Sequence, residues 1–233
     1  VQQLGVFSRR EVTQSLLDDF VKALVKNCRY ADVFLNDTQP WTSQIPKCEW
    51  TSNSNYVLDI NTSYEELYEG YSTNLKRNIR KAQKNNWQLF EHDDPTCLTS
   101  LFKDDRQDEL KLPQPFYKTV ERLMFTCLHR SCGHIWTLYG QGNQLEAGIF
   151  VTEFGNRLTL LFTGNSEAGR QHQAMAWLIN EFIILHSSKG KRLDFEGSNN
   201  AGLARFYKSF GSELYPYQNL KYNGLPVFLK WLK

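Results

Sequence analysis

The stretch RLTLLFTGNSEAGRQHQAMAWLINEFIILHSSKGKRLDFEGSNNAGLARFYKSFG, residues 157–211, decides the fold. Its opening alternates apolar and polar residues, the mark of a half-buried strand. Residues 168–188 then read as one long helix, and 192–195 as a short buried strand. Residues 201–210 form a second helix, and strand character returns from 213 onward. Upstream, 134–140 and 145–154 alternate in the same way, with Gly142-Asn143 and Gly155-Asn156 as turns. Gly-Asn pairs tolerate the left-handed backbone that tight hairpins need, so 134–163 is predicted to be a three-stranded antiparallel meander. A strand, a long helix and a second strand imply a right-handed crossover joining parallel neighbours, 158–162 and 192–195.

Further upstream, residues 11–26 place Val12, Leu16, Phe20, Val21, Leu24 and Val25 on one helical face. Short strands follow at 31–35 and 56–60, separated by a polar segment, 37–55, that contains Pro40 and Pro46. Thr62 or Ser63 caps a helical run that continues to residue 86, breaks near Gly70 and carries Glu65 and Glu66 in its first turn. Asp94-Pro95 opens one further helix, and Pro113 and Pro115 precede another that ends near Ser131. The texture places a boundary near residues 61–70.

The bulk properties narrow the class. The 233 residues are 41% hydrophobic and 22% charged, as expected of a globular chain with its own core. A net charge of +2 is too small to argue by itself for a nucleic-acid or membrane partner. Cys28, Cys48, Cys97, Cys127 and Cys132 are odd in number and contain no CxxC pair, which suits a reducing cytoplasm better than a disulfide framework. No apolar run reaches the roughly 20 residues that span a bilayer. A first residue other than Met, followed by VQQLGVF in strand-like alternation, points to a piece of a longer protein. Oligomeric state leaves no trace in the sequence.

The order of meander, long helix, strand, helix and strand resembles the core of the GNAT acyltransferases, a mixed α/β fold. That fold has a mostly antiparallel central sheet, one splayed parallel strand pair and flanking helices. Within EAGRQHQAMAWLI, the residues Gln171, Ala174, Ala176 and Ile179 occupy the places of the donor motif [RQ]-x-x-[GA]-x-[GA]-x-x-[LI], with Ala where Gly is usual. NNAGLARFYKSFG resembles N-x-x-A-x-x-[LF]-Y-x-x-x-G through Asn200, Tyr207 and Gly211, with Leu203 in place of the usual Ala. NYVLDINTSYEELYEGYSTNLKRNIRKAQKNN and LDFEGSN are similar to the two-lobed, Fem-type branch, whose helix carries R-x-x-R-K-A, here residues 77–82. The resemblance covers residues 56–222. It implies that 1–61 is the remainder of a truncated first lobe and 62–233 a complete acyltransferase lobe.

The resemblance also implies roles for particular residues. Gly164, Asn165, Gly169, Arg170, Gln171, Ala174 and Asn200 would hold acetyl-coenzyme A or another acyl-coenzyme A, since a helix start suits the pyrophosphate. Tyr207 would protonate the leaving thiolate. Fem-type relatives take aminoacyl-tRNA instead, with an amine on a small molecule or a cell-wall-precursor-like acceptor. The reaction is direct attack by the amine, with no covalent enzyme intermediate. A GNAT-like lobe kept as a non-catalytic binding module is the rival reading.

Several readings come from the residues themselves. Lys76, Arg77, Arg80, Lys81 and Lys84 form a basic helical stripe that is either a solvated face or a phosphate contact. Asp194 and Glu196 flank Phe195, and strand alternation would send both carboxylates to one face. Glu196 then reads as the general base with Asp194 in support, or as a residue that caps the next turn or pairs with Arg205. Cys127, His129, Cys132 and His134 straddle a predicted helix end and strand start, which points them apart, so no metal site is expected.

Overall fold

The computed structural model describes residues 4–9, 11–37, 45–197 and 199–226. They form two compact units, and no single cut near residue 61 divides them. One unit draws on 1–56, 196–204 and 214–233, the other on 57–195 and 205–213. The reason is strand pairing, which a boundary read along the chain does not see.

The first unit holds α1 (Gln14–Asn27), β1 (Tyr30–Phe34), β2 (Cys48–Asn53) and β10 (Tyr217–Asn223). The Thr13 hydroxyl caps α1 by accepting from the Leu16 N–H at 3.3 Å. Strand β10 lies between β1 and β2, antiparallel to both, so residues near the chain's end complete a sheet begun near its start. Leu17 and Val21 of α1 close on Leu35 and Leu220 to form its core. Of the strand anticipated in VQQLGVF, residues 1–3 lie outside the described residues, as do 38–44 of the polar segment. Residues 4–7 form no strand, although the Leu4 N–H donates to Phe34 O at 3.2 Å.

The second unit is built on a sheet whose strands are β3 (Tyr56–Asp59), β4 (Gln88–His92), β5 (Gly133–Tyr139), β6 (Leu145–Phe154), β7 (Arg157–Asn165), β8 (Arg192–Asp194) and β9 (Glu213–Leu214). Their order is β4-β5-β6-β7-β8-β3-β9. The predicted meander is β5-β6-β7, and β4 extends it to four strands, an element the periodicity did not reveal.

The helices of this unit are α2 (Tyr64–Gly70), α3 (Thr73–Ala82), α4 (Thr96–Leu110), α5 (Gln114–His129), α6 (Glu167–Gln171), α7 (Ala174–His186) and α8 (Ala201–Lys208), the last crossing into the first unit. Ser63 and Ser72 cap α2 and α3, and Tyr71 and Ser72 are extended, which makes the break near Gly70. Ile135 and Trp136 are neighbours on β5 and face opposite ways. Ile135 packs with Leu98, Met124 and Phe150 beneath α4 and α5, whereas the Trp136 ring meets Phe182 of α7 at 6.1 Å. The sheet is therefore covered on both faces, and α7, buried at Ala174, Ala176, Leu178, Ile179, Phe182 and Ile183, is a core helix.

The long helix expected over 168–188 is two helices. Gln173, at φ 63°, takes the left-handed backbone that only a few per cent of non-glycine residues adopt, and this ends α6 before α7 begins.

Candidate active site

Strands β7 and β8 run parallel, with Arg157, Leu158 and Thr159 opposite Arg192, Leu193 and Asp194. Pairing with β8 then stops, and β7 continues to Asn165 paired with β6 alone. The parting has a local cause. Phe150 of β6 faces Phe162, but Val151 faces Leu160, so Leu161 is an extra residue on β7. Such a bulge bends its strand and increases the twist, and it recurs beside active sites. The result is the splayed parallel pair that the sequence predicted, with the turn into α6 at its open end.

That turn is tightly built. Ser166 Oγ accepts from Gly169 N–H at 2.8 Å and donates to the carboxylate of Glu146 at 2.7 Å, while the Ser166 N–H donates to Glu146 O at 2.8 Å. A Cβ on Gly169 would lie 2.2 Å from Glu146 O and 2.6 Å from Asn165 Oδ1. Gly169 is therefore required by the close approach of α6 to β6. Gly164 has a similar part, because a Cβ there would press on Leu101 and Phe102 of α4 at 3.2 Å. Among the described residues the buried Asn165 Oδ1 has no hydrogen-bond partner.

Of the remaining donor-motif residues, Gln171 is exposed, whereas Ala174 and Ala176 are buried and let α7 lie close to the sheet. The Gln173 side chain makes no capping bond to α7, and the N–H groups of a helix's first turn lack intrahelical partners and attract anions. Arg170 is engaged by an ion pair with Asp105 of α4, a partner the sequence did not suggest. Its guanidinium also donates to Asn165 O at 3.3 Å.

Asp194, 2% exposed, accepts from Arg157 Nε at 2.6 Å, so this buried carboxylate has its own cation. β8 ends at Asp194, and Glu196 follows at φ 49°. The alternation that would have set both carboxylates on one face therefore does not extend to Glu196. In the first unit, Glu196 is buried, and the next residue, Gly197, donates its N–H to Asn55 Oδ1 at 2.6 Å. Asn199 donates to Asn53 Oδ1 at 2.8 Å and accepts from Ser54 N–H at 3.0 Å. Asn200 Oδ1 accepts from Gly202 and Leu203 N–H, starting α8.

Tyr207, 8% exposed, stacks on Phe195 with ring centroids 4.7 Å apart and planes 18° from parallel. Phe195 directly follows β8, so the Tyr207 ring lies at the end of the strand whose parting from β7 opens the cleft.

The basic stripe is on α3. Leu75, Ile79 and Ala82 are buried, and Arg77, Arg80, Lys81 and Lys84 are exposed. Lys76 donates to Glu69 O at 2.9 Å and lies over the Tyr68 ring, while Arg77 donates to Asn74 Oδ1 at 2.5 Å. Among the described residues no carboxylate pairs with Arg77, Arg80 or Lys81. His134 Nδ1 is 2.8 Å from Glu91, and among the described residues no three His, Cys, Asp or Glu side chains gather as a metal site. Among the same residues no helix is long and apolar enough to cross a membrane.

No family model matches the chain, and no curated protein matches its sequence. Solved structures do match. FemX superposes with a TM-score of 0.58 at 12% identity over 71% of this chain and 61% of its own. L-PGS from Bacillus licheniformis gives 0.53 at 10% identity, covering 80% of this chain and 65% of that one. A tandem GNAT protein from the clavulanic acid biosynthesis pathway gives 0.53 at 13% identity, covering 91% and 70%. The chain thus spans about three fifths of the length of FemX.

Proposed function

We propose that the protein is an N-acyltransferase in which an acceptor amine attacks the carbonyl of a thioester or ester donor at the open end of the β7–β8 pair. One observation carries this reading. The two strands pair over three residues and then part, and β7 runs on into the turn that leads through α6 to the start of α7, where first-turn N–H groups attract anions.

Acetyl-coenzyme A or another acyl-coenzyme A is the proposed donor. The first-turn N–H groups of α7 would take the pyrophosphate, because Arg170 already has Asp105 as its counter-ion. Bound in this way, the thioester supplies the activated acyl group. Tyr207 would protonate the leaving thiolate, and Glu196 would take the proton of the amine. Asp194, matched by Arg157, would hold the β7–β8 pair together. A cytoplasmic setting fits the five cysteines.

A second reading has aminoacyl-tRNA as donor and a cell-wall-precursor-like amine as acceptor. Arg80 and Lys81, exposed and without a carboxylate partner among the described residues, favour it, since such cations suit phosphate.

The test is thiol release from acetyl-coenzyme A in the presence of a panel of amines. Tyr207→Phe is expected to lower kcat by about 10²- to 10⁴-fold with donor affinity unchanged. Glu196→Gln is expected to abolish the rise of rate from acid to neutral pH. Turnover unaffected by Tyr207→Phe would remove the phenol from the mechanism. Absence of turnover with acetyl-coenzyme A, alongside activity with charged tRNA, would select the second reading, and absence of both would leave a binding module.

A further inference from the structure

Helix α5 ends in a particular way. The Cys132 N–H donates to Cys127 O at 2.9 Å, the Ser131 N–H donates to Leu128 O at 2.9 Å, and Ser131 lies at φ 52°. This pair of bonds around a left-handed residue is the Schellman ending, in which the side chains at its two outer positions meet. Those positions usually hold apolar residues. Here both are cysteines.

The next residue tightens the arrangement, since a Cβ on Gly133 would stand 2.6 Å from the Cys127 Cβ. Both thiols are half-buried, so small molecules can reach them, and both are reduced. A disulfide needs Cα atoms about 4.4–6.8 Å apart and facing Cβ atoms, and the backbone bond between the two residues holds them near each other before any oxidation.

We propose that Cys127 and Cys132 form a dithiol modification site that closes to a disulfide by exchange with a low-molecular-weight disulfide such as oxidised glutathione. Burial pushes the Cys127 thiol up, which disfavours Cys127 as the first attacker. The Cys132 thiolate attacks one glutathione sulfur, the glutathione S–S bond breaks, and one glutathione leaves as a thiolate. Cys127 then gives its proton to solvent and attacks the Cys132 sulfur of the mixed disulfide, expelling the second glutathione. The protein is oxidised by two electrons, and the small disulfide is reduced to two thiols. The closed loop is short, so the bond constrains the unfolded chain little. The site is therefore a reversible redox mark at the end of the helix covering the β5 face.

Arg130 lies between the two cysteines, so trypsin separates them unless a disulfide joins the fragments. The folded protein is treated with oxidised glutathione, acidified, alkylated and digested. The expected result is the loss of two free thiols and a cross-linked Cys127–Cys132 peptide pair that dithiothreitol releases. Cys127→Ser is expected to retain glutathione on Cys132. Recovery of both residues as alkylated thiols or as separate glutathione adducts would overturn the proposal, as would a link from Cys127 to Cys97, which packs on the same core. The wild-type map needs no variant, so a poorly folding substitution leaves the outcome decisive.

Discussion

The two ends of the β5–β8 sheet handle polar groups in opposite ways. Where β7 and β8 pair, polar side chains satisfy one another. Arg157 reaches Asp194, Lys191 reaches Glu153 at 2.5 Å, and His134 reaches Glu91 at 2.8 Å. Where the strands part, side-chain polarity is largely absorbed into the turn, through Ser166 with Glu146 and Arg170 with Asp105. What remains there is backbone polarity, namely the uncapped start of α7, together with the unpaired Asn165 Oδ1. The paired end holds the sheet, and the parted end keeps backbone hydrogen-bonding capacity.

The largest effect that tests this contrast is at the paired end. Arg157→Ala would leave Asp194 buried without its main cation, and such losses cost about 3–5 kcal/mol. Urea unfolding is expected to show that loss, and Arg157→Leu with Asp194→Leu together should recover much of it. A single variant of wild-type stability would show that the ion pair does not hold the strands.

A smaller effect is expected at the parted end. Gly169→Ala forces a methyl onto Glu146 O, and overpacking of this kind costs about 1–3 kcal/mol. Thermal unfolding should register the loss. An unchanged midpoint would mean that α6 is free to move from β6.

The smallest effect is a dependence on pH. Burial holds His186 below the usual imidazole range, and the Lys191 ammonium bonded to Glu153 holds that carboxyl below its own. Both folded-state values are depressed, so each contribution is present above the unfolded value and is lost as pH falls through the folded one. His186 acts first, and stability is expected to decline as pH drops below about 6.5. Glu153 adds to the loss at lower pH, near the ordinary carboxylate range. In His186→Gln the first decline should flatten. A slope unchanged by that substitution would place the titrating group elsewhere.

Much of this contrast could be read from the chain. The meander, the capped helices and the parallel β7–β8 pair follow from alternation, serine caps and crossover handedness, which are local or nearly so. Strand β4 escaped because QLFEH is a short edge strand with three exposed residues and no strict alternation. The break at Gln173 escaped because glutamine carries no signal for a left-handed backbone. Strand β10 pairs with β1 and β2 across most of the chain, and no local pattern encodes that choice.

The candidate site divides along the same line. Its residues were named by spacing within one stretch, whereas their partners came from distant segments. Arg157 and Asp194 are 37 positions apart, and Asp105 sits in the run KDDRQDE, which reads as a solvated helix face. Gly197, next to Glu196, is held by Asn55, 142 positions away.

The central claim is that the parted end of β7 and β8 binds an acyl donor through the start of α7. Calorimetric titration of the protein with acetyl-coenzyme A tests it most directly. The account predicts saturable binding that Ala174→Glu abolishes, because a carboxylate at the first position of α7 both fills a fully buried site and repels the pyrophosphate. Absence of heat at millimolar donor, or binding that survives Ala174→Glu unchanged, would contradict it.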